Sequence, residues 1–123
     1  MINYATASAL TDWSQYEIVI LINGDTASAA EIIALALREY FPRTVAIIGQ
    51  TSYGKGTVQE LVSFDDKSLL KYTVARWLSP KNRTSIDKVG VVPDKAVIFD
   101  RQYWRTKRID TQLLAAETYE FAK

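Results

Sequence analysis

A serine at the predicted start of a helix is the first residue that could do chemistry. Residues 23–31 read Asn-Gly-Asp-Thr-Ala-Ser-Ala-Ala-Glu and follow a continuous apolar run. This pattern predicts a buried strand, a tight turn and a helix start, with Ser28 at the helix N-terminus. Unpaired backbone N–H groups and the positive end of the helix dipole can stabilise an oxyanion there. Ser28 is therefore a candidate nucleophile.

The same serine also fits a purely structural role. Ser28-Ala29-Ala30-Glu31 spells a capping box. In that motif the serine hydroxyl and the glutamate carboxylate each accept a hydrogen bond from a backbone N–H of the first helical turn. The segment by itself leaves both interpretations open, a nucleophile and a cap.

The composition restricts which group could activate Ser28. The 123 residues include no cysteine and no histidine, so the chain by itself can build neither a Ser-His-Asp triad nor a histidine-ligated metal site. A lysine amine can activate a serine if it is neutral. Lys55 is the candidate, because Gly54 and Gly56 flank it and let other backbone approach closely. A solvated loop lysine is the alternative interpretation.

Two further segments suggest binding functions that the sequence argues against. Residues 49–55 fit most of a phosphate-binding P-loop, but Gly56 stands where that motif needs a hydroxyl, and the next segment favours a strand over a helix. Residues 101–108 are basic and aromatic, but Asp100 and Asp110 flank them, so we interpret them as a solvated connector. The formal net charge of +1 does not indicate binding to nucleic acid or to membranes.

The hydrophobic pattern predicts one α/β domain. Residues 17–23 read as a strand buried on both faces, residues 29–40 as a helix apolar nearly all round, and residues 44–48 as a second strand. This order predicts parallel strands with a right-handed crossover. Residues 57–64 and 69–78 predict a hairpin, and the glycines of residues 49–56 predict the most flexible loop. We further expect an irregular or short helical lead-in over residues 1–16 and a final helix over residues 111–121. Residues 80–83 predict a turn in which Asn82 can tolerate a left-handed conformation.

Several motifs in a fixed order make the chain resemble the C-terminal processing peptidases, also called tail-specific proteases. Residues 26–31 resemble the family's Ser-Ala-Ser-Ala-Ser-Glu, and residues 53–59 resemble its Phe-Gly-Lys-Gly-Thr-Val-Gln. Residues 73–80 and 90–94 are similar to its Thr-Thr-Ala-Arg-Tyr-Tyr-Thr-Pro and Gly-Ile-x-Pro-Asp. The resemblance runs from about residue 17 to the C-terminus, and linked motifs make it far more specific than any one of them.

The resemblance implies a fold, a site and an activity. The fold is a crotonase-like (ClpP/crotonase-type) α/β sheet with covering helices. Ser28 is the nucleophile, Lys55 the general base, Gln59 the residue that orients the lysine amine, and the backbone N–H of Ala29 an oxyanion donor. The implied activity is serine-type cleavage of proteins near accessible C-terminal tails. The resemblance implies no metal, no cofactor and no nucleic-acid partner. It implies an exported location if the protein carries a signal. We expect no membrane span, since the apolar runs are far shorter than the roughly 20 residues required.

Two features of the family have no counterpart in these residues. Family members carry an upstream Leu-Arg-x-Asn-Pro-Gly-Gly segment that supplies the second oxyanion donor, and usually a PDZ domain. We therefore expect residues 1–123 to be the C-terminal portion of a catalytic domain, slow or inactive alone and prone to form homo-oligomers through uncovered surface. The alternatives are a truncated, non-catalytic binding or assembly module and, more weakly, a crotonase-like acyl-CoA enzyme, against which the Lys55–Gln59 motif speaks.

Overall fold

A small parallel sheet lies at the centre of the structure, a computed structural model that describes residues 13–122. Its elements in chain order are a 3₁₀ turn at Trp13–Gln15, then β1 (Ile18–Ile22), α1 (Ala29–Tyr40), β2 (Val45–Gly49), β3 (Thr57–Ser63), β4 (Leu69–Arg76), β5 (Lys95–Ala96), α2 (Arg101–Lys107) and α3 (Thr111–Glu117). The predicted lead-in lies mostly outside the described residues. No helix in the described part of the chain is long and apolar enough to cross a membrane.

The central strand of this sheet is β2. The strand order is β1-β2-β5, both pairings are parallel, and the β1–β2 register runs from Ile18 opposite Val45 to Ile22 opposite Gly49. Ile47 and Ile48 point to opposite faces of the strand and are both 0% exposed. Both faces of β2 are therefore covered, and β2 contacts α1 and α3. The predicted parallel strand–helix–strand unit is confirmed, and the helix has the predicted bounds.

The burial predicted for β1 is wrong. Its side chains are only partly buried apart from Ile22, and Leu21 is 38% exposed. Within the described residues β1 has a strand neighbour on one side only, namely β2. The helix α1 is likewise covered on one side, since Ala34 and Leu35 are buried whereas Ile33 is 59% exposed.

The second sheet is the hairpin of β3 and β4. The strands pair antiparallel from Thr57 opposite Arg76 to Ser63 opposite Leu69, with an irregularity between Val58 and Gln59. They pack mainly against each other, and most of their side chains are exposed. The predicted hairpin is confirmed. The P-loop alternative is also excluded, because a strand begins where that motif needs a helix.

The last part of the chain departs from the prediction. The segment predicted as a connector contains the helix α2, whose N-terminus is capped by Asp100, which accepts a hydrogen bond from Tyr103 N at 2.8 Å. The final helix ends at Glu117 and not at residue 121, and Asp110 caps its start. In the turn after β4 the left-handed residue is Arg83 (φ 57°), not Asn82. The segment is exposed, as predicted, but the two aspartates that flank it are helix caps.

Candidate active site

Ser28 lies between β1 and α1 in a backbone conformation that is rare for a residue with a side chain. Its φ is 56° and its ψ is −118°, and the helix begins at the next residue. Such conformations cost on the order of 1–3 kcal/mol and persist only where the surroundings impose them. The preceding turn is fixed by Asn23, whose Oδ1 accepts a hydrogen bond from Asp25 N at 2.9 Å and whose carbonyl accepts one from Thr26 N at 3.0 Å.

The capping interpretation of Ser28 is only half realised. Ser28 and Glu31 have the arrangement of a capping box, and Ser28 N donates to Glu31 Oε2 at 2.7 Å. The backbone N–H of Glu31 faces the serine hydroxyl, as a capping box requires, but this contact does not reach the geometry of a hydrogen bond. The backbone N–H of Ala29, the implied oxyanion donor, meets no hydrogen-bond acceptor within residues 13–122. The helix start therefore leaves available the two groups that nucleophilic catalysis would use.

The loop that carries Lys55 is tightly held, contrary to the predicted flexibility. A Cβ added to Gly54, which has a φ of 84°, would lie 2.7 Å from Gly90 N. One added to Gly56 would lie 2.7 Å from the Cβ of Asp87. The glycines are therefore needed because backbone and side chains from the 86–90 segment pass too close for any side chain. Further hydrogen bonds fix the loop, including one from Trp77 Nε1 to the carbonyl of Lys55 at 2.9 Å.

The carboxylate of Glu31 joins the Ser28 turn to the Lys55 loop. Glu31 is 0% exposed. Its Oε2 accepts hydrogen bonds from Ser28 N at 2.7 Å and from Lys55 N at 2.9 Å. Its Oε1 accepts from Gly54 N at 2.7 Å and from the hydroxyl of Ser52 at 2.5 Å. One buried side chain thus sets the relative position of the candidate nucleophile and the candidate base.

These four donors also explain how a buried carboxylate can stay ionised without a cation. Burial raises the pKa of the Glu31 carboxyl, but the hydrogen bonds from Ser52, Gly54, Lys55 and Ser28 together outweigh that effect, so that the pKa lies below its ordinary value of 4.5. The negative charge of Glu31 is therefore stabilised by backbone and hydroxyl dipoles in the folded state.

The depressed pKa of Glu31 predicts an acid-sensitive fold. Because the folded-state pKa lies below the unfolded one, the stabilisation is present above about pH 4.5 and is lost as the pH falls through the folded-state value. Urea unfolding at a series of pH values measures this effect. As the pH is lowered, we expect the free energy of unfolding to decrease less steeply in the Glu31→Gln variant than in the unmodified protein. Glu39 also has a lowered pKa but titrates in both proteins. Parallel curves for the two proteins would contradict the assignment.

The structure brings Ser28, Lys55 and Gln59 to one cavity of about 330 Å³, whose other walls include Ile32, Val58 and Trp77. Gln59 lies on β3, whereas Ser28 precedes α1, so the cavity lies between the start of α1 and the hairpin. Within residues 13–122 no hydrogen bond joins the side chains of these three candidate residues. Catalytic hydrogen bonds are often long or poorly aligned without substrate and tighten in the complex. Within the same residues no cluster of three or more acidic side chains could hold a metal ion.

Comparison with known families decides the classification. Residues 2–97 match the model of peptidase family S41. The chain belongs to peptidase family S41.

Curated relatives within this family carry names that refer to C-terminal processing. The chain is 49% identical over 75 residues to the carboxy-terminal processing protease CtpA of Bacillus subtilis (strain 168). The aligned region covers 61% of this chain and 16% of that protein. It is 44% identical over 77 residues to the chloroplastic carboxyl-terminal-processing peptidase 2 of Arabidopsis thaliana, covering 63% of this chain and 14% of that one. The chain thus spans less than a fifth of the length of either relative.

Solved S41-type structures share the mixed α/β fold. A photosystem II D1 C-terminal processing protease superposes with a TM-score of 0.56 at 39% identity, covering 65% of this chain and 20% of that chain. Mature CPAF in complex with lactacystin superposes with a TM-score of 0.61 over 80% of this chain and 19% of that one. At 20% identity the second comparison supports the fold alone.

One site residue of this S41 chain was missed by sequence reasoning. Glu31 was interpreted only as a partner of Ser28 in a capping box, which is a local contact. A signal was available: Glu31, Ala34 and Leu35 occupy positions i, i+3 and i+4 of α1, so the glutamate lies on the buried stripe of the helix. A buried carboxylate needs several donors, and its distant donors lie in the Lys55 loop.

Proposed function

We propose that this chain carries the Ser–Lys dyad of a serine endopeptidase that cleaves proteins near accessible C-terminal tails. The observation that supports this most is the shared anchor. Glu31 holds the backbone N–H groups of Ser28 and Lys55 on one carboxylate oxygen, at 2.7 and 2.9 Å. The names of the S41 relatives, which refer to C-terminal processing, support the substrate class.

The proposed mechanism uses Ser28, Lys55 and Gln59, which line this cavity, and the backbone N–H of Ala29, which follows Ser28 in the chain. Neutral Lys55 accepts the proton of Ser28 as the serine oxygen attacks the scissile carbonyl, and Gln59 orients the lysine amine. The N–H of Ala29 donates to the oxygen that becomes negatively charged. The protonated lysine then gives its proton to the departing amine, and water hydrolyses the acyl-enzyme by the same route.

We further propose that residues 1–123 form the C-terminal portion of a larger crotonase-like catalytic domain. The support lies in apolar side chains that the described residues leave exposed on β1, α1 and the hairpin, among them Leu21, Ile33, Leu61, Leu69 and Val74. Patches of this kind are normally covered. An additional part of the domain would cover them, and a second copy of this chain is the other possible cover.

A non-catalytic binding module is the competing function, since the Ser28–Glu31 arrangement also stabilises the helix start. The rate of peptide hydrolysis by the Lys55→Arg variant distinguishes the peptidase from the binding module. A guanidinium stays protonated at any working pH and cannot act as base, so we expect the rate to fall about 100-fold or more. Lys67→Arg, in the β3–β4 turn, is the matched control and should keep the full rate.

The assay uses the enzyme that carries this chain and a substrate with an unstructured tail, with cleavage sites mapped by mass spectrometry. Cleavage near the tail that depends on Lys55 supports the endopeptidase. If Lys55→Arg and Lys67→Arg were equally active, another group would be the base. If no preparation cleaved peptides, the binding-module function would be favoured.

A further inference from the structure

A second cavity shares part of its lining with the cavity that contains Ser28. It has a volume of about 610 Å³ and reaches from Lys55 and Gln59 to Asp25 and Lys88. Four residues line both this cavity and the smaller one that contains Ser28, namely Lys55, Thr57, Gln59 and Lys71. The wall common to the two cavities therefore carries a second lysine beside the candidate base.

The strand register explains why Lys71 reaches this wall. Gln59 pairs with Thr73 across the hairpin, and Leu61 pairs with Lys71. Directly paired residues share a face of the hairpin, so Lys71 is the diagonal neighbour of Gln59 on the same face. A peptide that occupies both cavities would therefore lie against the wall that carries Lys71.

The larger cavity has more positive than negative charge available to a ligand. Its carboxylates are those of Asp25 and Asp87. Asp87 is already paired, since its Oδ2 accepts a hydrogen bond from Arg76 at 2.9 Å. Lys71 and Lys88 form no ion pair with any carboxylate among residues 13–122. Apart from Lys55, two lysines therefore remain against the carboxylate of Asp25.

We propose that Lys71, assisted by Lys88, binds a carboxylate of the substrate close to the scissile bond. The proposal rests on the peptidase function and narrows its substrate class. Two carboxylates have the required chemistry, the free C-terminal carboxylate of a short tail and the side chain of an acidic residue. The smaller cavity, with Ile32, Val58 and Trp77 on its walls, takes an apolar part of the same peptide.

Binding to a Ser28→Ala background, which prevents hydrolysis, tests the site directly. Fluorescence anisotropy measures the Kd of labelled peptides in two pairs, and the members of each pair differ in one group. In the first pair the C-terminus is either a free carboxylate or an amide. In the second pair both peptides are amidated, and an internal residue is either Glu or Gln. We expect the carboxylate form of at least one pair to bind about 3- to 5-fold tighter, as for an exposed charge pair of up to about 1 kcal/mol. The pair that shows the preference identifies the source of the carboxylate.

Three further variants make the test specific. Lys71→Met should abolish the preference, Lys71→Arg should keep it, and Lys67→Met, in the turn of the same hairpin, should leave it unchanged. Added salt should weaken the preference, because exposed charges are screened. A preference unaffected by Lys71→Met, no preference in either pair, or no binding of any peptide would overturn the proposal.

Hydrolysis by the protein with Ser28 intact separates this proposal from the peptidase function. If free and amidated, acidic and neutral peptides are all cleaved equally, the carboxylate site is wrong and the peptidase function stands. If carboxylates bind through Lys71 but no peptide is cleaved, the site is supported and the peptidase function is wrong.

Discussion

Ser28→Ala is expected to lower the rate of peptide hydrolysis by about 10,000-fold or more, the size of effect seen when a nucleophile is removed from a serine protease. Stability should change by at most about 1 kcal/mol, because the hydroxyl makes no side-chain cap hydrogen bond. Peptidase assays and thermal melts on the same preparations measure both quantities. A loss of activity without a loss of stability separates a nucleophile from a cap.

Ser28→Gly is a useful companion variant. Glycine adopts the observed backbone conformation, with φ 56°, without the penalty of a Cβ. It should therefore be as inactive as Ser28→Ala and at least as stable as the unmodified protein. If either variant kept substantial activity, the dyad would be wrong. If both lost several kcal/mol of stability, Ser28 would be mainly structural.

Glu31→Ala should produce the largest loss of stability of any single change at this site. It removes the acceptor for three backbone N–H groups, those of Ser28, Gly54 and Lys55. Each buried donor left unsatisfied costs about 1–3 kcal/mol. We expect a loss of at least about 3 kcal/mol in urea unfolding, a large part of the stability of an ordinary domain. Hydrolysis should fall as well, because the two halves of the dyad lose their common anchor.

Glu31→Gln isolates the electrostatic part of that effect, because it keeps the size of the side chain. Both Glu31 oxygens accept from at least one backbone N–H, so in either orientation the amide NH₂ faces a donor. Activity should therefore fall even where the variant remains folded. Glu39→Gln, at the other end of α1, is the control. If Glu31→Gln were as active and as stable as Glu39→Gln, the anchor assignment would be contradicted.

Local patterns predicted the elements of this fold well. The alternation of apolar strand, polar turn and apolar helix predicted the parallel β1–α1–β2 unit, and α1 has the predicted bounds. The errors concern what surrounds each element. The burial of β1 was inferred from its own composition, but burial depends on neighbouring elements. The helix α2 was missed because its charged side chains suggested solvation, although Asp100 before it was a cap signal.

The candidate site was predicted through linked motifs, and its anchor was not. Ser28 and Lys55 were identified from the resemblance to a family, and the structure places both on one cavity. The role of Glu31 depends on contacts with Ser52, Gly54 and Lys55, which lie 21 to 24 residues away. A short-range motif shows only the local half of such a network. The glycines were misjudged for the same reason, because the segment that passes close to them follows some thirty residues later.

The three candidate catalytic residues, Ser28, Lys55 and Gln59, are held by two different parts of the structure. Ser28 and Lys55 are joined through one buried carboxylate, whereas Gln59 and Lys71 stand on a hairpin whose strands pack mainly against each other. A displacement of that hairpin would therefore move Gln59 and Lys71 relative to Ser28, while Glu31 would still hold the backbones of Ser28 and Lys55 together. A contact on the exposed face of the hairpin would then alter the proposed orientation of the Lys55 amine without touching either Ser28 or Lys55.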